Sequence, residues 1–156
     1  MRFRARLAIE AFTARYRGVS FDSLLATSDV RQLARARLLD ARILFWTARF
    51  DGAFYLCGYA IELSLKAAIC DRQHAGFPQT RHEFQTAGLQ SMKIHDLESL
   101  LADSGMVATV KPRYLAEWSM VLNWNPEIRY QAIGHVSRQD AADMIRSAKT
   151  LLGVLL

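Results

Sequence analysis

Two groups of side chains in this sequence have the types and spacing that chemistry needs. The first is the segment Arg129 to His135 (RYQAIGH), which sets a permanent cation and an imidazole six positions apart. An imidazole typically titrates near pH ~6.5, so it can take up or release a proton at neutral pH. A guanidinium stays charged and grips phosphate through paired hydrogen bonds. Six positions do not share one face of a continuous helix, so the two meet only where the helix breaks. Gly134 and a cap at Ser137 are the features that could break it. The second group is a series of arginines, Arg35, Arg42 and Arg49, recurring every seven residues with Arg31 beside them. On a helix they line one face and form a candidate polyanion contact; the alternative is a solvated face on which Arg stands in for Lys.

These groups need a scaffold, and the segment Asp51 to Arg72 (DGAFYLCGYAIELSLKAAICDR) supplies its centre. Its polar or small residues Asp51, Tyr55, Gly58, Glu62 and Lys66 fall three or four apart along one stripe, and the rest of the circumference is apolar. That pattern predicts a central, buried helix. Glu62 and Lys66, acid before base at i and i+4, read as a structural ion pair at the edge of the core. Gly58 costs about 1 kcal/mol against Ala in a helix interior, which points to close approach of another backbone, from a neighbouring helix or a second subunit.

At 156 residues, 51% hydrophobic and 22% charged, the chain has the length and composition of one globular domain spanning residues 1–156. The central helix carries Glu62 and Lys66, so no run of about eighteen uncharged apolar residues is available to span a bilayer. The basic N-terminus has no uninterrupted apolar stretch of the secretory kind. Cys57 and Cys70, thirteen apart, match neither zinc nor redox spacing, and a reducing cytoplasmic setting is expected. Residues 1–50 hold ten arginines against four acids, a net of +6, while the remainder nets −1.

The apolar spacing predicts helices almost throughout. A first helix covers about residues 2–16, followed by a connector from Gly18 to Thr27. Ser28 or Asp29 caps a second, with core positions Ala34, Leu38, Ala41, Phe45 and Ala48. The central helix ends at Gly76-Phe77-Pro78, and residues 76–94 form the longest irregular stretch. His95-Asp96-Leu97-Glu98 opens a fourth helix that Gly105 stops; Pro112 starts a fifth that Pro126 ends. Ser137 with Asp140 caps the last, whose core face is Ala141, Ile145, Ala148 and Leu152. His74, His82 and His95 are irregularly spaced, so no metal is expected. Trp118 and Trp124, at i and i+6 beside Val121 and Leu122, read as core and interface residues, with stacking on a base as the alternative. There is no glycine-rich phosphate loop and no nucleophile elbow, and no cofactor is expected.

Four segments in order, FDGAFYLCGYAIELSLKAAI (50–69), HDLESLLADSG (95–105), PEIRY (126–130) and AADMIRSAKTLLGVL (141–155), resemble those of the HEPN domains, over about residues 30–156. The resemblance implies an antiparallel bundle of five to six helices that tends to form homodimers, and in many members a metal-independent, toxin-like endoribonuclease. There the catalytic pair is an Arg and a His four to six residues further on, which falls here on Arg129 and His135. The His would act on a ribose 2′-hydroxyl and the Arg would neutralise charge on the phosphate. Glu62 and Lys66 match an E-x3-K pattern near the site in some members, and Tyr130 stands where active members carry Asn, Asp or His. Ser137 stands where some carry a Tyr that a partner nucleotidyltransferase modifies. An Arg followed by Tyr also resembles a noncatalytic branch, which would bind a nucleotide or that partner. Under the catalytic reading Arg31, Arg35, Arg42 and Arg49 would hold RNA.

Overall fold

The computed structural model describes residues 25–78, Phe84 and residues 90–156. The expected helix at 2–16, most of its connector and the interior of the 76–94 stretch lie outside these. Among the described residues the architecture is an all-α bundle without strands. Its helices are α1 (Thr27–Trp46), α2 (Phe50–Arg72), α3 (Leu97–Ser104), α4 (Val107–Arg113), α5 (Leu115–Val121) and α6 (Arg138–Leu155), with 3-10 turns at Gln90–Lys93 and Pro126–Tyr130.

The apolar circumference of α2 places it at the centre, against α1, α6 and α3. Ile61, Leu65 and Ile69 are wholly buried, and truncating any of them would cost about 2–5 kcal/mol. The helix is long and apolar enough to cross a membrane, but 78% of its most apolar window is buried inside the bundle. Burial pushes the Cys57 thiol up to about 12 and that of Cys70 to about 11, so both are protonated and unreactive at neutral pH.

The caps follow the sequence closely at α3 and α6. Asp96 accepts the Ser99 N–H at 2.7 Å, and Gly105 closes α3 in the left-handed region at φ 77°. Ser137 and Asp140 form a reciprocal capping box, with the Asp140 N–H donated to Ser137 Oγ at 3.1 Å and the Ser137 N–H to Asp140 Oδ2 at 3.2 Å. Elsewhere boundaries differ from expectation. α1 starts at Thr27 without a side-chain cap and stops at Trp46, and Ala48 turns the chain at φ 59°. Ala48 is therefore a linker residue, not a core position. α2 ends at Arg72, before Gly76. Pro112 lies inside α4, not at the start of a fifth helix, and the expected single helix breaks at Tyr114 (φ −131°), leaving α5 to stop at Val121. Pro126 opens the 3-10 turn that carries Arg129.

Candidate active site

The first turn of α2 meets the chain just before α6. Asp51 accepts the Gly134 N–H at 2.7 Å and the Val136 N–H at 2.8 Å, so its carboxylate clamps residues 134–136 to the central helix. Gly134 takes φ 89° with open space around it, so backbone conformation and not crowding asks for glycine there. The clamp holds His135 as well. Its Nδ1 is 3.1 Å from Asp51 Oδ1 and 3.0 Å from the Ala132 carbonyl oxygen. The Ala132 oxygen is an acceptor, so this hydrogen bond assigns the proton to Nδ1, with the Asp51 carboxylate beside it at ion-pair distance, and leaves Nε2 as the free nitrogen. Partial burial would raise the Asp51 carboxyl, but the Gly134 and Val136 N–H groups, with the nearby charges of His135 and Arg49, outweigh it and hold the group below 3.8.

Arg129 arrives from the other side, on the 3-10 turn that Asn125 caps by accepting the Glu127 N–H at 3.0 Å. Trp124 anchors that turn. It is 4% exposed and lies flat on Gly58, where a Cβ would come within 2.0 Å of its Cγ. The close approach read from Gly58 is thus to an indole, not to another backbone. The Arg129 guanidinium stacks 4.8 Å from the Tyr130 ring and sits 4.0 Å from Glu127. The Tyr130 and Tyr55 hydroxyls raise its proton affinity further, so it stays a cation. Arg129 and His135 line one solvent-open pocket of about 210 Å³ together with Asp51, Gly52 and Tyr55 from α2. Six positions apart in sequence, they meet because the chain between them is a turn and not a helix.

Glu62 and Lys66 do not reach this pocket. They form a buried ion pair at 2.6 Å, and His95 Nδ1 stands 3.0 Å from each Glu62 oxygen. This second histidine–carboxylate pair fastens the chain before α3 to α2, with Glu62 1% exposed and the His95 side chain 52% exposed. The arginine series divides. Arg31 is paired with Asp71, Arg35 and Arg42 are exposed on the outer face of α1, and Arg49 has left that helix to stand at the N-cap of α2. Among the described residues no three His, Cys, Asp or Glu side chains cluster as metal ligands.

Asp51 and Tyr55 are pocket residues that motif reasoning did not pick out, although both stood on the polar stripe of the central helix. Comparison of the chain with protein-family models, with curated proteins and with solved structures finds no match.

Proposed function

We propose that the protein is a HEPN-like ribonuclease that cleaves single-stranded RNA by transphosphorylation, with His135 and Arg129 as its catalytic pair. The observation that carries this reading is the shared pocket: His135 is oriented through Nδ1 by the Ala132 carbonyl with the Asp51 carboxylate beside it, so Nε2 is free, and Arg129 stands at the same opening without a buried acid to neutralise it. An Arg129–Glu62 pair would have argued for a structural arginine, but Glu62 is occupied by Lys66 and His95.

In this reaction Nε2 of His135 accepts the 2′-hydroxyl proton as that oxygen attacks the adjacent phosphorus. The bond from phosphorus to the 5′-oxygen breaks, that oxygen takes a proton from solvent water, and His135 returns the proton it accepted to solvent. The products are a 2′,3′-cyclic phosphate and a 5′-hydroxyl. Arg129 stabilises the charge that gathers on the non-bridging oxygens. The pocket is smaller than the ~300–1,000 Å³ of typical enclosed small-molecule sites and open to solvent, which suits a ribose-phosphate of a passing chain better than a whole metabolite. Ile133, 96% exposed, and Tyr130, 74% exposed, leave large apolar side chains in solvent beside the pocket, and the proposal includes a homodimer in which a second copy covers them.

A second reading rests on the Arg129–Tyr130 stack, which occupies one face of the guanidinium as a structural arginine would be occupied. Under it the same pocket belongs to a noncatalytic module that binds a nucleotide or a partner nucleotidyltransferase. End analysis of RNA incubated with the protein in EDTA separates the two. The ribonuclease gives cyclic-phosphate and 5′-hydroxyl ends and spares a site whose 2′-hydroxyl is replaced by hydrogen; the module leaves the RNA intact.

A further inference from the structure

The most exposed large aromatic ring among the described residues is not in the pocket but beside it. Trp46 closes α1 with 79% of its surface in solvent. Phe45 meets it edge to face at 6.1 Å, and Phe45 itself packs against Phe50 at 5.5 Å and the Arg138 guanidinium at 5.9 Å. One and two residues after Phe50 the same helix presents Asp51 and Gly52 of the pocket wall. The ring therefore stands one tight turn before the helix whose first turn forms part of the pocket wall.

The surface around it is basic and apolar in alternation. Arg35, Leu39, Arg42, Ile43 and Trp46 recur at three- and four-residue steps along the outer face of α1, with Leu39 and Ile43 each 55% exposed. Arg49 follows at the turn. Among the described residues Arg35, Arg42 and Arg49 make no ion pair, and the nearest acid in the helix, Asp40, is taken by Arg37 at 3.0 Å. A second copy docking here by two-fold symmetry would bring Arg35 and Arg42 of both chains into one interface with no acid to answer them. A lipid surface would need an uninterrupted apolar stripe, which Arg35 and Arg42 break. The chemistry that answers both features is a polyanion that also carries flat rings.

We infer that Trp46, flanked by Arg42 and Arg49, is a base-stacking platform that holds a nucleotide of single-stranded RNA next to the one cleaved at the Arg129–His135 pocket. The inference rests on the RNA reading above and assigns its substrate class and its path. Base–aromatic stacking tolerates any base, so the platform supplies grip and register, while the arginines supply salt-dependent affinity.

The test is binding without cleavage. A short 2′-O-methyl RNA oligomer cannot be cleaved by this chemistry, and since Trp118 and Trp124 are 1% and 4% exposed, acrylamide quenching of fluorescence reports Trp46. The oligomer is expected to shield Trp46. Trp46→Ala and Trp46→Leu should each weaken its binding roughly 5- to 100-fold, whereas inorganic polyphosphate, which has no bases, should bind both variants as it binds wild type. Wild-type RNA affinity in Trp46→Ala overturns the platform even if RNA is cleaved. Trp46 shielding by anionic phosphatidylglycerol vesicles but not by RNA, or by raised protein concentration alone, overturns it in favour of a membrane or a second copy. Shielding by RNA that Trp46 variants lose, with no cleavage of unmodified RNA, keeps the platform and removes the ribonuclease.

Discussion

Asp51 performs two tasks that a single substitution tests together. Its carboxylate takes two backbone N–H groups at 2.7 and 2.8 Å and faces His135 Nδ1 at 3.1 Å. Hydrogen bonds to a charged acceptor are worth about 1.5–3 kcal/mol each, and with the side chain 29% exposed a value near the lower end applies. Asp51→Asn keeps one acceptor oxygen and turns an amide N–H toward the other donor, so it should lose about 1.5 kcal/mol. Asp51→Ala loses both bonds and strands the N–H of the buried Val136, for about 3 kcal/mol. For a chain of this size that is a fall in Tm of about 5 and 9 °C respectively. Folding lowers the proton affinity of this carboxyl, so its contribution is fully present above the ordinary value of 3.8 and disappears as pH falls through the lower folded value. Thermal melts at pH 7 should therefore separate wild type from Asp51→Asn, and the gap should begin to narrow once pH falls below 3.8. Cleavage by Asp51→Asn should drop about 100-fold, the low end of a general base's usual contribution, because His135 loses its orienting partner. An Asn variant as stable as wild type at pH 7, or a gap unchanged at pH 3, would refute the clamp.

Three further outcomes follow from packing. Gly58→Ala drives a methyl to 2.0 Å from the Trp124 ring; helix propensity returns about 1 kcal/mol of an overpacking cost near 3, so chemical denaturation should show a net loss of about 2 kcal/mol, and cleavage should fall because Trp124 anchors the Arg129 turn. Glu62→Gln leaves the Lys66 ammonium, 7% exposed, without its counter-charge, a loss of about 3 kcal/mol in urea unfolding that Glu62→Gln with Lys66→Met should largely recover. Ser137→Ala removes the capping-box acceptor of α6 and should lower stability by about 1 kcal/mol in the same assay.

Where local rules decide the structure, the sequence was legible. The apolar circumference of α2, the Ser137–Asp140 box and the Asp96 to Gly105 limits of α3 each depend on residues a few positions apart, and each folds as its spacing implies. The breaks were harder. Pro112 favours the first turn of a helix, yet tertiary packing of Val110 and Trp118 carries the backbone through it and moves the break to Tyr114. Arg49 fits the seven-residue series, but Ala48 reverses the chain before the series can continue. The Arg129–His135 pair was visible as residue types; the partner that orients it was not. Asp51 is 85 positions from Val136, and an acid in the first turn of a helix is already explained by the helix dipole, so nothing in the sequence required a second task of it. His95 was hidden similarly: it read only as an irregularly spaced histidine at the opening of a helix, while its buried partner Glu62 lies 33 positions away.

The central claim is that His135 and Arg129 act together on RNA. The most direct measurement is the cleavage rate of a mixed single-stranded RNA pool in EDTA by wild type, His135→Ala and Arg129→Ala, with circular dichroism showing all three folded. The account predicts cleavage by wild type, leaving cyclic-phosphate ends, and its loss in both variants. No cleavage by wild type between pH 6 and 8, or cleavage that survives either substitution, would contradict it.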